Sequence, residues 1–329
     1  MTAGSFSIIG VDLGGTKLAG ASFDSGGEIL DRHTTALGGR SGGDVATLIV
    51  EQVRALRSSA SEDATGVGVS VPGIYRTDTG TVWAPNIPGW DDFPLRDALT
   101  EAFPDMRVVI DSDRAAYIMG ETWRGAARGT KDAIFLAVGT GIGAGILVNG
   151  RVLRGHGDIA GAIGWLALQR PYTGRWDSCG CFEYQASGPG LVRVANDLLD
   201  ADASIPTELR RGDGGELTTA AILAAHARGD ALATRVVDNA VEVWGMAAAN
   251  LVSLFNPETI IFGGGVFGPA ASLLDRIRAE AERWAQPIAI TQAKFVASAL
   301  GGDAGLYGAG ALALQAVARG PSGTIPSLA

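Results

Sequence analysis

Cysteine is nearly absent: the 329-residue chain has two, Cys179 and Cys181. One residue separates them, so they do not form a disulfide framework. Basic residues are outnumbered, 26 Lys and Arg against 35 Asp and Glu, and the net charge is −9. This argues against a nucleic-acid partner, whose phosphates demand clustered cations. It does not exclude a nucleotide, because glycine-rich loops hold phosphates with backbone N–H groups and a metal ion. No apolar run reaches the roughly 18 residues of a membrane span. Met1–Ser7 has no basic region and no apolar stretch of signal-peptide length. The expectation is a cytoplasmic protein with no membrane partner. What is present is a globular composition, 47% hydrophobic and 19% charged, on a length that suits two cores.

The pattern opens with strand, tight turn, strand: Ser7–Leu13, Gly14-Gly15-Thr16, Lys17–Phe23, then a third strand over Glu28–Thr34. A similar unit recurs at 132–154. There an apolar strand, Asp132–Val138, meets Gly139-Thr140-Gly141-Ile142-Gly143, and Asn149-Gly150 between Ala144–Val148 and Arg151–Arg154 marks a hairpin. Two glycine-turn hairpins in one chain predict duplicated α/β domains. A helix is expected over Gly43–Ser59, a strand over Gly66–Val71 and another over Arg107–Ile110. A helix over Arg114–Arg124 would be capped by Ser112 or Asp113. Helices dominate 191–285, broken by a polar loop at 210–216. Strands at Thr259–Phe262 and near Lys294–Ala297 precede a final helix, Tyr307–Ala318, and a tail from Gly320 expected to be disordered.

Four motifs carry chemistry. Asp12-Leu13-Gly14-Gly15-Thr16-Lys17 ends a buried strand. Its glycines admit close approach of a phosphate, Thr16 adds a donor, and Asp12 is placed to hold Mg2+ through water. Thr140 and Gly141 form a second phosphate clamp by likeness to the first. Gly263-Gly264-Gly265 would let an adenine ring lie flat on the backbone, or would serve close packing. In Asp111-Ser112-Asp113, either carboxylate could accept the proton of an attacking hydroxyl. The two point the same way if the strand continues and diverge if the chain turns. Spacing alone does not choose between them, and both could instead cap the helix.

Asp12–Lys17, Gly68–Gly73, Ser112–Ala116, Gly139–Gly143, Gly155–Gly164, Gly180–Gly188 and Gly263–Gly265 occur in the order found in ROK sugar kinases. The chain resembles that family over about residues 6–318. The resemblance implies a two-domain α/β fold of the actin-like, hexokinase-like class, with a cleft between duplicated domains. The expected division is 1–115 with the helix 306–319 packing back on it, then 116–305. The resemblance further implies ATP and Mg2+ as cofactors and phosphoryl transfer to the C6 hydroxyl of a hexose. Family members are often homodimers. By the same resemblance Asp113 is the general base and Asp111 a flanking residue, and acceptor contacts fall on Gly73, Asn86, Ser112, Asp113 and Glu183. ATP contacts fall on Asp12, Gly14, Gly15, Thr16, Lys17, Thr140, Gly141, Gly263, Gly264 and Gly265.

The departures are specific. The family's Gly-Glu-Ile-Gly-His reads Gly161-Ala162-Ile163-Gly164-Trp165 here, removing a sugar-binding acid and a His that binds both sugar and zinc. Of the three zinc-loop cysteines only Cys181 is matched, with Gly174 and Trp176 at the other two places, so no zinc is expected. Trp165 is expected either to wall the acceptor or to fill the vacated zinc loop. Retained base and phosphate loops with altered acceptor groups predict a kinase of a modified hexose, such as the aminosugar kanosamine, or a cyclitol. Glucokinase is the alternative. A catalytically weak sugar sensor is the alternative of another class.

Overall fold

The computed structural model describes residues 6–59, 64–209 and 217–318. The polar loop expected at 210–216 and the tail from Gly320 lie outside the described residues. In chain order the first elements are β1 (Ser7–Leu13), β2 (Lys17–Asp24), β3 (Ile29–Ala36), α1 (Gly42–Ser59) and β4 (Ala64–Val71). A small two-stranded pair follows, β5 (Ile74–Tyr75) and β6 (Val82–Trp83), then α2 (Leu95–Ala102), β7 (Arg107–Ser112) and α3 (Asp113–Arg124). The next elements are β8 (Ala133–Val138), β9 (Ile142–Val148), β10 (Arg151–Val152), α4 (Cys181–Ala186), α5 (Gly188–Ala201), α6 (Thr219–Ala227) and α7 (Ala231–Phe255). The chain ends on β11 (Thr259–Gly263), α8 (Leu274–Glu282), α9 (Pro287–Gln292), β12 (Lys294–Ala297) and α10 (Ala304–Ala318).

The strands form two five-stranded sheets, ordered β3-β2-β1-β4-β7 and β10-β9-β8-β11-β12. In each, the first hairpin is antiparallel and the strands added on its other side run parallel. One scheme is therefore used twice, as the repeated glycine-turn hairpin predicts. Parallel neighbours require crossovers, which α1, α2, α7 and α8 supply.

The chain divides into two compact units. The first comprises the described parts of Met1–Gly129, Val152–Ala160 and Gly302–Ala329, and the second comprises those of Thr130–Arg151 and Gly161–Gly301. The first unit thus runs past the boundary expected at 115 and takes in all of α3. The reason is the contact between α3 and α10. A Cβ on Gly308 would lie 1.9 Å from the Ala116 carbonyl oxygen, and one on Gly120 would lie 2.4 Å from that of Ala304. The same helix lies directly on the sheet, where a Cβ on Gly68 would meet the Ala309 carbonyl oxygen at 1.9 Å. Glycine costs about 1 kcal/mol in a helix interior, so Gly308 and Gly310 are kept for this close approach.

The core of the first unit joins Ile9, Val11 and Leu13 of β1 to Val45, Ile49, Val53 and Leu56 along one stripe of α1. That stripe follows the helical spacing of apolar residues in the sequence. The core of the second is built on α7, whose Val236, Ala240, Trp244 and Ala247 are buried beside Ile134, Leu136, Ile260 and Phe262. Among the described residues no helix is long and apolar enough to cross a membrane.

Candidate active site

The first unit holds the acidic groups. β1 lies beside β4 in parallel, with Asp12 opposite Ser70. The fully buried Ser70 hydroxyl donates to Asp12 Oδ1 at 2.7 Å. Burial pushes the Asp12 carboxyl above its ordinary range, against the Ser70 hydrogen bond and the Lys17 charge. Its second oxygen accepts no hydrogen bond among the described residues. A carboxylate with one oxygen fixed and one free suits a hydrated Mg2+, which keeps most of its waters. Gly305 is a partner of this group that the motif reading misses. A Cβ there would stand 2.5–2.6 Å from the Asp12 carboxyl, so the first turn of α10 packs directly against it. A glycine in an otherwise alanine-rich helix was the available signal.

The hairpin after β1 closes when Gly14 N–H donates to the Lys17 carbonyl at 2.9 Å, leaving Gly15, Thr16 and Lys17 exposed. A Cβ on Gly15 would lie 3.0 Å from Asn86 Nδ2. Asn86, taken from the resemblance as an acceptor contact, thus stands beside the Gly14–Lys17 turn. Gly73 has a left-handed φ of 88°, and a Cβ would lie 2.1 Å from the Trp83 carbonyl oxygen, so the turn after β4 packs on the segment leading to Asn86.

The strand β7 continues through Ser112, two residues beyond expectation, and then the chain turns into α3. Ser112 is the N-cap and accepts from Ala115 N–H at 3.4 Å, which resolves the choice of cap. The turn separates the two carboxylates. Asp111 is buried, accepts from Ser112 N–H at 2.9 Å and lies 2.5 Å from Arg154 Nη1. Burial raises it, and the Arg154 charge is the main opposing influence. Asp113 accepts from Arg114 N–H at 2.8 Å through one oxygen, and the other accepts nothing among the described residues. Although one edge of Asp113 stays open, its carboxyl sits deep among protein atoms. Burial pushes it up to about 6, opposed by Arg114 and reinforced by the charge of Asp12.

In the second unit, the turn between β8 and β9 closes with Gly139 N–H on the Gly141 carbonyl at 2.9 Å, and Thr140 is exposed. Glu183 supports it: its Oε2 accepts from Ile142 N–H at 2.7 Å, and a Cβ on Gly141 would lie 2.9 Å from that oxygen. Burial raises Glu183, against the Ile142 hydrogen bond and Arg193. Of the three glycines at the end of β11, Gly263 and Gly264 are explained by packing. A Cβ on Gly263 would strike the Phe135 ring at 2.2 Å, and one on Gly264 the Val138 carbonyl oxygen at 2.4 Å. Only at Gly265 does a Cβ meet nothing within 4 Å.

The loop that departs from the motif pattern is also clear. Gly161 has a φ of 88° and holds Ala144 N–H through its carbonyl at 2.8 Å, leading into half-buried Ala162. Trp165 is 58% exposed. It therefore does not fill the vacated zinc loop. Trp176, by contrast, is buried at 8% exposure, and Tyr172 meets it edge-on at 6.0 Å. Cys181 is buried with Gln185 Nε2 3.3 Å from its sulfur, and Cys179 is half-buried. Among the described residues no group of three His, Cys, Asp or Glu is arranged to hold a metal.

The family model that matches this chain is the ROK family, over residues 8–316. A glucokinase of Halalkalibacterium halodurans is 36% identical over 315 residues, covering 93% of this chain and 94% of that protein. The solved ROK hexokinase of Thermus thermophilus has a TM-score of 0.78 at 31% identity, covering 96% of this chain and all of the other. A ROK glucokinase of Streptomyces griseus, solved with glucose and AMPPNP, has a TM-score of 0.75 at 33% identity, covering 94% and 99%. With these the fold is the actin-like one that the motif order implies, and the chain belongs to the ROK family.

Proposed function

We propose that this protein transfers the γ-phosphate of ATP to the primary hydroxyl of a hexose-like acceptor, with a modified hexose or a cyclitol preferred over glucose. The observation that carries the chemistry is Asp113. Its carboxyl has one oxygen fixed by Arg114 N–H and a proton affinity near 6, so at neutral pH it is ionised yet basic enough to take a hydroxyl proton. The acceptor oxygen bonds to the γ-phosphorus, the bond to the bridging oxygen breaks, and the hydroxyl proton passes to Asp113 as ADP departs.

The other groups position and screen. Gly73, Asn86 and Ser112 hold acceptor hydroxyls, and the Asn86 amide next to Gly15 relates the acceptor to the phosphate loop. Backbone N–H groups at Gly14–Lys17 and Gly139–Gly141 hold phosphate oxygens, assisted by the hydroxyls of Thr16 and Thr140. Asp12 is the residue that would hold Mg2+ through water. That ion, when bound, neutralises the phosphates. Glu183 keeps the second loop in shape. The adenine lies at Gly265. A homodimer without zinc is the expected assembly, checked by sedimentation and elemental analysis.

Acceptor preference follows from Ala162 and exposed Trp165. Ala162 offers no acceptor for a ring hydroxyl, and an unsatisfied buried hydroxyl costs about 1–3 kcal/mol. The Trp165 ring offers an apolar face to a bulkier or hydroxyl-poor ring. The 36% identity to a glucokinase favours a second reading, plain glucose as the acceptor. ATP consumption measured over glucose, aminosugars and cyclitols, compared as kcat/KM, separates the two. A modified ring ahead of glucose supports the proposal. Glucose ahead of every modified ring supports the second reading, and no turnover with any of them removes the kinase assignment.

A further inference from the structure

Asp111 lies beside the proposed base and is buried, yet the chemistry above gives it no part. Its neighbour across the contact, Arg154, belongs to the segment Val152–Ala160, which the chain inserts into the first unit between two stretches of the second. That segment is a closed loop. Ala160 N–H donates to the Arg154 carbonyl at 2.9 Å, and left-handed Gly155 packs against Ala160. Three ties fasten the loop. The first is the ion pair of Arg154 Nη1 with Asp111 Oδ2 at 2.5 Å. Asp158, in a left-handed conformation with φ 61°, accepts from Thr77 N–H at 2.9 Å and from the Thr77 hydroxyl at 3.0 Å. Arg114 donates to the Ile159 carbonyl at 3.4 Å and to the Gly73 carbonyl at 3.3 Å.

Each tie ends next to an acceptor residue. Asp111 precedes Ser112 and Asp113, Arg114 follows Asp113 and reaches Gly73, and Thr77 lies just after β5, which begins at Ile74. A non-glycine residue at positive φ is strained and persists only where its surroundings enforce it, which marks Asp158 as a fixed point. A buried carboxylate without its cation is strongly unfavourable, so Arg154 cannot leave freely.

We propose that Asp111 and Arg154 are positioning residues: a clasp between a buried carboxylate and a half-exposed guanidinium that fixes the loop Val152–Ala160 against the acceptor-binding residues, so that acceptor affinity depends on it and nucleotide handling does not. This rests on the kinase reading for the identity of the acceptor.

The test uses Asp111→Asn, Arg154→Gln and the double variant on the full-length protein, with the acceptor that the wild type turns over best. Each single variant should raise the acceptor KM roughly tenfold while kcat and the ATP KM stay within about threefold. The double variant should be no worse than the singles, because the two act as one unit. Hydrogen exchange at the amides of 152–160 should quicken in all three. Asp158→Asn, at a partly exposed tie, should give the same signature at lower amplitude and serves if a buried variant does not fold. A large fall in kcat at unchanged acceptor KM would place Asp111 in the chemistry and overturn the proposal. Unchanged exchange at 152–160 would overturn it as well. If the wild type turns over no acceptor the kinase reading fails, and the exchange measurement alone then decides whether the clasp exists.

Discussion

At the tip of the first hairpin Asp12 lies opposite Ser70 on the neighbouring parallel strand, whereas at the matching place in the second sheet Ala137 lies opposite Gly263. Both residues are next to last in the strand that leads into a glycine turn. One strand scheme has therefore been fitted out in two ways. The first copy carries a carboxylate, the hydroxyl that orients it, and Asp113, the proposed base, on the same unit. The second copy carries only backbone and a single exposed hydroxyl, Thr140, with Glu183 beneath the loop. On the proposed reading each turn offers backbone N–H groups to phosphate, and only the first has a side chain suited to a cation.

If the chemistry resides in the first copy, the largest effect belongs to Asp113→Asn. Turnover should fall by about 10²–10⁴ with ATP affinity nearly unchanged, measured by steady-state kinetics and calorimetry. Asp111→Asn should be far milder in kcat, and the reverse ranking would mean that the two carboxylates have been misassigned. Gly305→Ala comes next, because its methyl would overlap the Asp12 carboxyl. Displacing that group by about 1 Å should cost on the order of 10² in turnover and weaken Mg2+-dependent nucleotide binding. Gly302→Ala, where a Cβ meets nothing within 4 Å, is the control and should be silent.

The second copy should respond differently. Glu183→Gln weakens the bond to Ile142 N–H beneath the Thr140 loop, and about a tenfold rise in the ATP KM is expected with a smaller change in kcat. A fall in kcat alone would show that Glu183 takes part beyond supporting the loop. The smallest effect is expected from Ala162→Glu, a several-fold shift of kcat/KM toward glucose relative to modified rings. No shift would show that Ala162 does not set acceptor choice.

The hairpins and their turns were legible because glycine pairs between apolar runs leave little choice of local structure. The span expected for β1 matches to the residue, that of α1 to within one, and β12 lies where a strand is expected near Lys294–Ala297. The end of β7 was misjudged because Asp111 and Ser112 look like turn residues. Asp111 stays in the strand because Arg154, 43 residues later in the chain, neutralises it. Ser70 opposite Asp12 is a register fact between strands that are 58 residues apart, and no local pattern announces it. Of the two expectations for Trp165, walling the acceptor or filling the loop, its exposure rules out the second, while Trp176 is the buried aromatic. An aromatic residue alone does not say which way it points, and the 58% exposure of Trp165 does.

The most direct test of the account is kcat/KM for the best acceptor as a function of pH, in the wild type and in Asp113→Asn. Burial holds a proton on Asp113 up to about 6, so the base is absent below that value and present above it. Activity should rise with pH through a bend near 6 and level off toward neutrality, and the residual activity of Asp113→Asn should lack that bend. A wild-type profile flat from about pH 5 to 8, or a bend that survives in Asp113→Asn, would contradict the assignment of the base.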